Sequence, residues 1–321
     1  MNFTRLLKDW TLPAAMVVGT LGYLFFANTP AFDSFGAWAG PVCDKILPLF
    51  MFSILFVTFC KVDFHRMRPV KWHFWAGATQ IAFIVTTMAF ILSYRPTGPT
   101  LVFLEAVLVC IVAPCAAAAP VITQKLGGKL EEMTTYTFMS NFVTAIFIPI
   151  CFPLIEKDDE ITFWSAFLDI LYQVTLVLVV PMLLAYLVKH LLPRIHRFIV
   201  GVKDLSYYLW AISLVIVTGT TVRNICHADT TVFFLVATAL STLAICLGQY
   251  VVGRQIGRRF NRTNEVGQAL GQKNTAFAIW IAYTYLTPLS SVGPGCYILW
   301  QNTVNSIEIY QYKKAGKLQK S

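Results

Sequence analysis

Ten apolar tracts, separated by short clusters of charge, leave this 321-residue chain little choice of fold. They run over 11–28, 38–60, 72–93, 101–124, 130–155, 163–189, 205–223, 230–253, 266–287 and 291–312. Each is close to the roughly 20 apolar residues that cross a hydrocarbon core about 30 Å thick. Lipid offers no partner to a backbone N–H or C=O, so spans of this length have to be helices. Composition agrees: 57% of the residues are hydrophobic and 13% charged, where a soluble domain is about a quarter charged. The expectation is an all-α polytopic membrane protein whose surroundings are the lipid bilayer.

The basic residues alternate between the two sides of these spans. Twenty of the 25 lysines and arginines fall in loops on one side, and four (Lys45, Arg95, Lys157 and Arg223) on the other; Lys273 is the one left over. By the positive-inside rule the rich side is cytoplasmic, which places both termini inside and the protein in the cytoplasmic (inner) membrane. The same pattern accounts for the net charge of +9, so nucleic acid is not expected as a partner. No small-residue cleavage site follows "MNFTRLLKDW", and no cleaved signal is expected. The eight cysteines form no C-x-x-C pair and the five histidines lie near span ends without ligand spacing, so neither a metal nor a cofactor is expected. No nucleophile–base pair or phosphate loop points to an enzyme.

Two tracts are interrupted. The fourth reads "LEAVLVCIVAPCAAAAPVITQKLGGK" (104–129), where Pro114 and Pro120 each remove a backbone donor. The ninth reads "NEVGQALGQKNTAFAIWIAYTYLTP", interrupted at Gly271 to Asn274. Residues 114–120 and 271–275 are therefore expected to be non-helical and adjacent. The interruptions hold matching places in two halves of five spans each, which makes the halves an inverted repeat. Interrupted helices at corresponding positions are the sequence pointer to a transporter binding site. Lys273 lies in the second interruption, and two readings follow. Its ammonium either donates to carbonyls freed at the breaks or snorkels to the cytoplasmic surface.

Three stretches, in this order and spacing, resemble the bile acid:sodium symporter family of secondary transporters. They are "LPLFMFSILFVTFCKVDFHRMRP" (47–69), "PCAAAAPVITQKLGGK" (114–129), and "GQKNTAFAIW" (271–280) followed by "PGCYILWQNTVNS" (294–306). The resemblance implies a core domain from spans 3–5 and 8–10 (about 72–155 and 230–312). It implies a panel domain from spans 1, 2, 6 and 7 (about 11–60 and 163–223). An organic anion, bile-acid-like or a small carboxylate, would bind between them and cross by alternating access. In the family, oxygen ligands at the crossing of the two broken spans hold two sodium ions. Here the family's Ser-Asn pair falls on Ala119 and Pro120, its glutamate on Ala269 and its glutamine on Lys273. Gln80, Thr137 and Asn274 fall on oxygen-bearing positions. A second register sets "EVG" (265–267) on the family's Glu-x-Gly but gives up the Asn274 match, and the first is preferred.

The candidate crossover residues are thus Lys273, Asn274, Gln272, Gln80, Thr137, Pro114, Cys115, Pro120 and Asn302. Coupling to two sodium ions is not expected; proton coupling through Lys273 and uncoupled transport are the alternatives. Asn302 is expected to orient the crossover and Trp300 to pack beside it, while Gln301 replaces a histidine of the family. Glu105, Asp169 and the run "EKDDE" (156–160) are expected to be solvated near the outer surface, and Glu308 to meet cytoplasmic basic groups. Two other functions compete. Cys115 after Pro114 is similar to the broken fourth span of arsenite permeases, and the missing sodium ligands would also suit a non-transporting membrane receptor.

Overall fold

The computed structural model describes residues 3–29, 32–63, 67–155, 162–202, 205–227 and 230–315. The acidic run 156–160 lies outside the described residues, as do 64–66 of the loop after the second tract and 316–321 of the C-terminal basic cluster. The helices are α1 (Phe3–Ala27), α2 (Asp33–Cys60), α3 (Lys71–Tyr94), α4 (Pro99–Val112), α5 (Ala119–Lys125), α6 (Leu130–Ile155), α7 (Phe163–Val174), α8 (Val180–Leu191), α9 (Pro193–Gly201), α10 (Leu205–His227), α11 (Val232–Arg258), α12 (Thr263–Gly271), α13 (Thr275–Tyr285) and α14 (Val292–Lys314). Among the described residues β structure is confined to one isolated bridge, between Cys115 and Lys273.

The chain is an all-α polytopic membrane protein. Among the described residues six helices are long and apolar enough to cross a bilayer: Trp38–Cys60, Lys71–Tyr94, Leu130–Ile155, Phe163–Leu191, Tyr208–His227 and Val232–Arg258. Shorter apolar helices run over Ala14–Ala27 and Pro99–Val112. Large apolar side chains such as Phe74, Phe90, Trp164, Phe233 and Leu240 stay exposed on the outside of the bundle. In water such a surface would drive association; in a bilayer it meets acyl chains.

Local chemistry sets the irregular points. Phe163–Leu191 is continuous but passes through a π turn at Thr175–Val179. Pro181 removes the donor that would reach back to Val177, and the helix widens just before it. Four described residues have positive φ: Arg95 and Gly98 ahead of α4, Gly127 after α5, and Asn261 ahead of α12. The last closes the turn that folds α12 back against α11. The approach there is close, since a Cβ on Gly253 would overlap the Val266 carbonyl and one on Gly271 would overlap the Tyr250 ring.

Helices α1, α2, α8 and α10 pack on one another, and α3, α4, α6, α11, α12 and α14 do likewise. The two groups meet where α10 packs on α14, and they are joined through α7, which packs on α6, and α13, which packs on α2. A large apolar cluster spans both groups, with Leu55, Ile84, Leu108, Phe152, Leu178 and Phe277 all buried. A smaller one, holding Trp72, Cys115, Ala119, Met133, Tyr136 and Leu270, surrounds the interrupted segments.

Candidate functional site

The fourth tract breaks over residues 113–118. Helix α4 stops at Val112 because Pro114 offers no N–H and pushes the residue before it out of the helical region; Ala113 sits at φ −52°, ψ 139°. The chain resumes as α5 at Ala119, one residue ahead of Pro120. The break is thus shorter than the expected 114–120, because a proline in the first helical turn gives up only an N–H that has no partner within the helix.

Helix ends leave carbonyls and N–H groups unpaired, and helix α6 supplies two hydroxyls for them. Thr144 Oγ1 donates to the Val112 carbonyl at 2.8 Å, and Ser140 Oγ accepts from the Cys115 N–H at 3.0 Å. Ser140 also donates to Gln80 Oε1 at 3.1 Å, which accepts from Tyr136 OH at the same distance. Thr137 donates to the Met133 carbonyl at 3.0 Å and lies 3.7 Å from Cys115 Sγ.

The ninth tract breaks at Gln272 to Asn274. Asn274 starts α13 as its N-cap, Oδ1 accepting from the Phe277 N–H at 3.3 Å. Helix α14 brackets the residue before it: Gln301 Oε1 accepts from the Lys273 N–H at 2.8 Å, and Gln301 Nε2 donates to the Lys273 carbonyl at 3.2 Å. Tyr297 OH donates to the Gly271 carbonyl at 2.8 Å.

The two breaks lie side by side. The Asn274 N–H donates to the Pro114 carbonyl at 2.8 Å and the Ala116 N–H to the Gln272 carbonyl at 3.0 Å, an antiparallel exchange centred on Cys115 and Lys273. Lys273 is 2% exposed. Its Nζ donates to the carbonyls of Ile111 at 3.0 Å and Ala113 at 3.1 Å. The side chain therefore does not snorkel; it lies at the C-terminal end of α4, where the helix dipole favours a cation.

Of the expected residues, Lys273, Asn274, Gln272, Pro114, Cys115, Thr137 and Gln80 converge on this crossing. Gln80 Nε2 and Gln272 Oε1 are buried there without a partner among the described residues. Pro120 is buried in the first turn of α5. Asn302 does not hold Lys273; its neighbour Gln301 does, because a helix turns about 100° per residue and only one of the pair can face the break. Trp300 donates to the Ala239 carbonyl at 3.0 Å. Glu308 meets Arg254 and accepts from Gln268 at 2.8 Å. Glu105 departs from expectation: it is fully buried, with Oε2 accepting from the Thr287 N–H at 3.3 Å. Glu265, the glutamate of the other register, accepts from the Lys129 N–H at 3.1 Å, at the far end of α12 from the break.

A cavity of about 710 Å³ lies where α2, α7 with its π turn, α10 and α13 meet. Lys45, Asp169, Gln173, Trp280, Tyr283 and Thr284 are among the residues that line it. Asp169 accepts from Tyr285 OH at 3.3 Å, joining α7 to α13 across one edge.

The family model for the sodium bile acid symporter family matches residues 48–228, more than half of the chain. The chain belongs to that family. Membership makes it a membrane transporter of the bile acid/sodium symporter type, not an enzyme. The matched stretch holds the whole first break and ends before the second, so Lys273 lies outside it. Comparison with curated proteins gives no match.

Proposed function

We propose that the protein is a secondary transporter for an organic anion, working by alternating access and without the two sodium ions of its relatives. The observation that carries this reading is the position of Lys273. Its ammonium donates to two carbonyls at the end of α4, where freed backbone oxygen would otherwise face a coupling cation. Ala119, Pro120 and Ala269 bring no side-chain oxygen to the places where the family holds sodium. Of the oxygens at the positions that match the family's, Gln80 Oε1 accepts twice and Asn274 Oδ1 caps α13. A sodium ion 4 Å from the ammonium would be repelled by about 4 kcal/mol at an effective dielectric of 20.

The substrate site in this reading is the cavity of about 710 Å³. Under the division that the family resemblance implies, α2, α7 and α10 are its panel walls and α13 its core wall; Lys45 brings a cation to it and Asp169 a carboxylate. Ten spans form the unit, in two inverted halves, with both termini on the cytoplasmic side of the inner membrane; the twenty-to-four distribution of basic residues supports the orientation. Cys115 supports no arsenite site, because its thiol is buried beside Thr137 and does not line this cavity.

The test is thermal unfolding of the purified protein in sodium against choline, with a screen of organic anions alongside. No sodium-specific stabilisation is expected, and an anion at about 100 times its dissociation constant should add about 2.7 kcal/mol. A saturable sodium-specific rise would overturn the ion reading. In the variant A269E/K273Q, which restores the two family residues, sodium should stabilise where it does not in the parent.

A further inference from the structure

We propose that α9 is a binding site for anionic phospholipid, taking a headgroup phosphate between Arg194 and Arg197 and holding this part of the protein to one leaflet. The inference rests on no assumption about substrate or coupling ion.

Position comes first. Helix α9 follows directly on Phe163–Leu191, a 29-residue apolar helix. At about 1.5 Å per residue such a helix outruns a hydrocarbon core of about 30 Å. Its C-terminal end, with Lys189 and His190, therefore emerges at the headgroup layer. Pro193 then starts a new helix after an interruption at Leu192. This is the side of the protein that holds twenty of its basic residues.

The face comes second. Along α9, Ile199 packs inward against the main apolar cluster, and His196 Nε2 meets the Cys60 carbonyl at 2.8 Å. Lys61 Nζ reaches the Val202 carbonyl at 3.4 Å. These contacts fasten α9 to the end of α2. What remains outward is amphipathic: Phe198 is 75% exposed and Ile195 48%, with Leu191, the last residue of α8, 70% exposed beside them. Arg194 and Arg197 lie on the next strip of the same helix, one turn apart, and both are exposed. Neither forms an ion pair with a carboxylate among the described residues; Arg197 Nε reaches only the Pro193 carbonyl, at 3.4 Å. Two unneutralised guanidiniums above a strip of large apolar side chains suit a phosphate whose acyl chains lie below it.

The test uses the full-length protein in nanodiscs holding equal amounts of phosphatidylglycerol and phosphatidylcholine with the same acyl chains. The lipids that stay bound after mild detergent extraction are counted by native mass spectrometry. Each basic side chain at an anionic surface is worth roughly fivefold in binding. R194Q/R197Q should therefore lower the preference for phosphatidylglycerol by about thirtyfold. R258Q/R259Q removes the same two charges at exposed sites that have no large exposed apolar side chain within a turn, and should lower that preference by clearly less. F198S should weaken retention of both lipids while leaving the headgroup preference. Equal losses in the two double variants would mean that only net charge matters and would overturn the site. Inorganic phosphate gives the last arm. If it raises the melting temperature of the detergent-solubilised protein as much as phosphatidylglycerol does, and R194Q/R197Q removes that rise, the groups bind a free anion and the lipid proposal fails. If R194Q/R197Q does not stay monodisperse, the single variants R194Q and R197Q, each expected to show about a fivefold loss, decide instead.

Discussion

The two breaks meet at one crossing and are built in opposite ways. The first, from Ala113 to Ala118, has one side chain that is neither alanine nor proline, the Cys115 thiol. Its backbone is satisfied from outside, by Ser140 and Thr144 of α6 and by Lys273. The second brings its own chemistry. Asn274 caps the helix that follows, Lys273 extends to the first break, and Gln301 holds the Lys273 backbone on both sides. Both breaks take backbone partners from other helices, but only the second gives a side chain, Lys273, to the other. A stretch of small residues can thus stay intact as backbone in a low-dielectric setting while the groups that satisfy it are supplied by other helices.

Reversing the gift should have the largest effect. Lys273→Glu sets a buried carboxylate against the carbonyl end of α4, and uncompensated buried charges cost about 3–5 kcal/mol. Unfolding in mixed detergent should show a loss of that size or no folded protein; parent-like stability would mean that the α4 carbonyls need no cation. Next is Gln301→Leu, which leaves the Lys273 N–H unpaired and its carbonyl with the Thr275 N–H alone. At about 1–3 kcal/mol for the unpaired N–H and about 1 kcal/mol for the lost bond to the carbonyl, a loss of about 2–4 kcal/mol is expected in the same assay. Ser140→Ala removes one partner from the receiving break, the acceptor of the Cys115 N–H, and should cost about 1–3 kcal/mol. The smallest effect belongs to the receiving break's own side chains: Ala117→Ser, at a half-buried position, should stay within about 0.5 kcal/mol. A large loss there with a negligible one at Ser140 would reverse the comparison.

What the sequence makes legible is local. Pro114, Pro120 and Gly271 mark the breaks because missing donors and missing side chains act on their own few residues. Lys273 draws notice because a charge within an apolar tract is costly wherever the chain goes. Partners are another matter. Hydroxyls on α6 look alike in sequence, yet Thr134 and Thr135 bond to the carbonyls four residues back, at Leu130 and Glu131, while Ser140 and Thr144 turn to the break. Nothing within the tract separates the two uses, since the choice depends on a segment far off in sequence coming to rest there. Gln301 and Asn302 were likewise distinguishable only by which one faces Lys273. Glu105 reads as a solvated residue near a span end, and its burial depends on the turn at Thr287 closing over it.

The bridge between the breaks has a mechanical side. Two backbone links run between the strands, and the Lys273 side chain runs along them to the end of α4. A slide of either broken span past the other would stretch at least one of these ties, so the pair behaves as a single pinned joint. The chain turns sharply at the margins, where the four described positive-φ residues stand: Arg95 and Gly98 at the entrance to α4, Gly127 at the exit from α5, and Asn261 at the entrance to α12. The crossing is one tied unit, and its two broken spans shift only together.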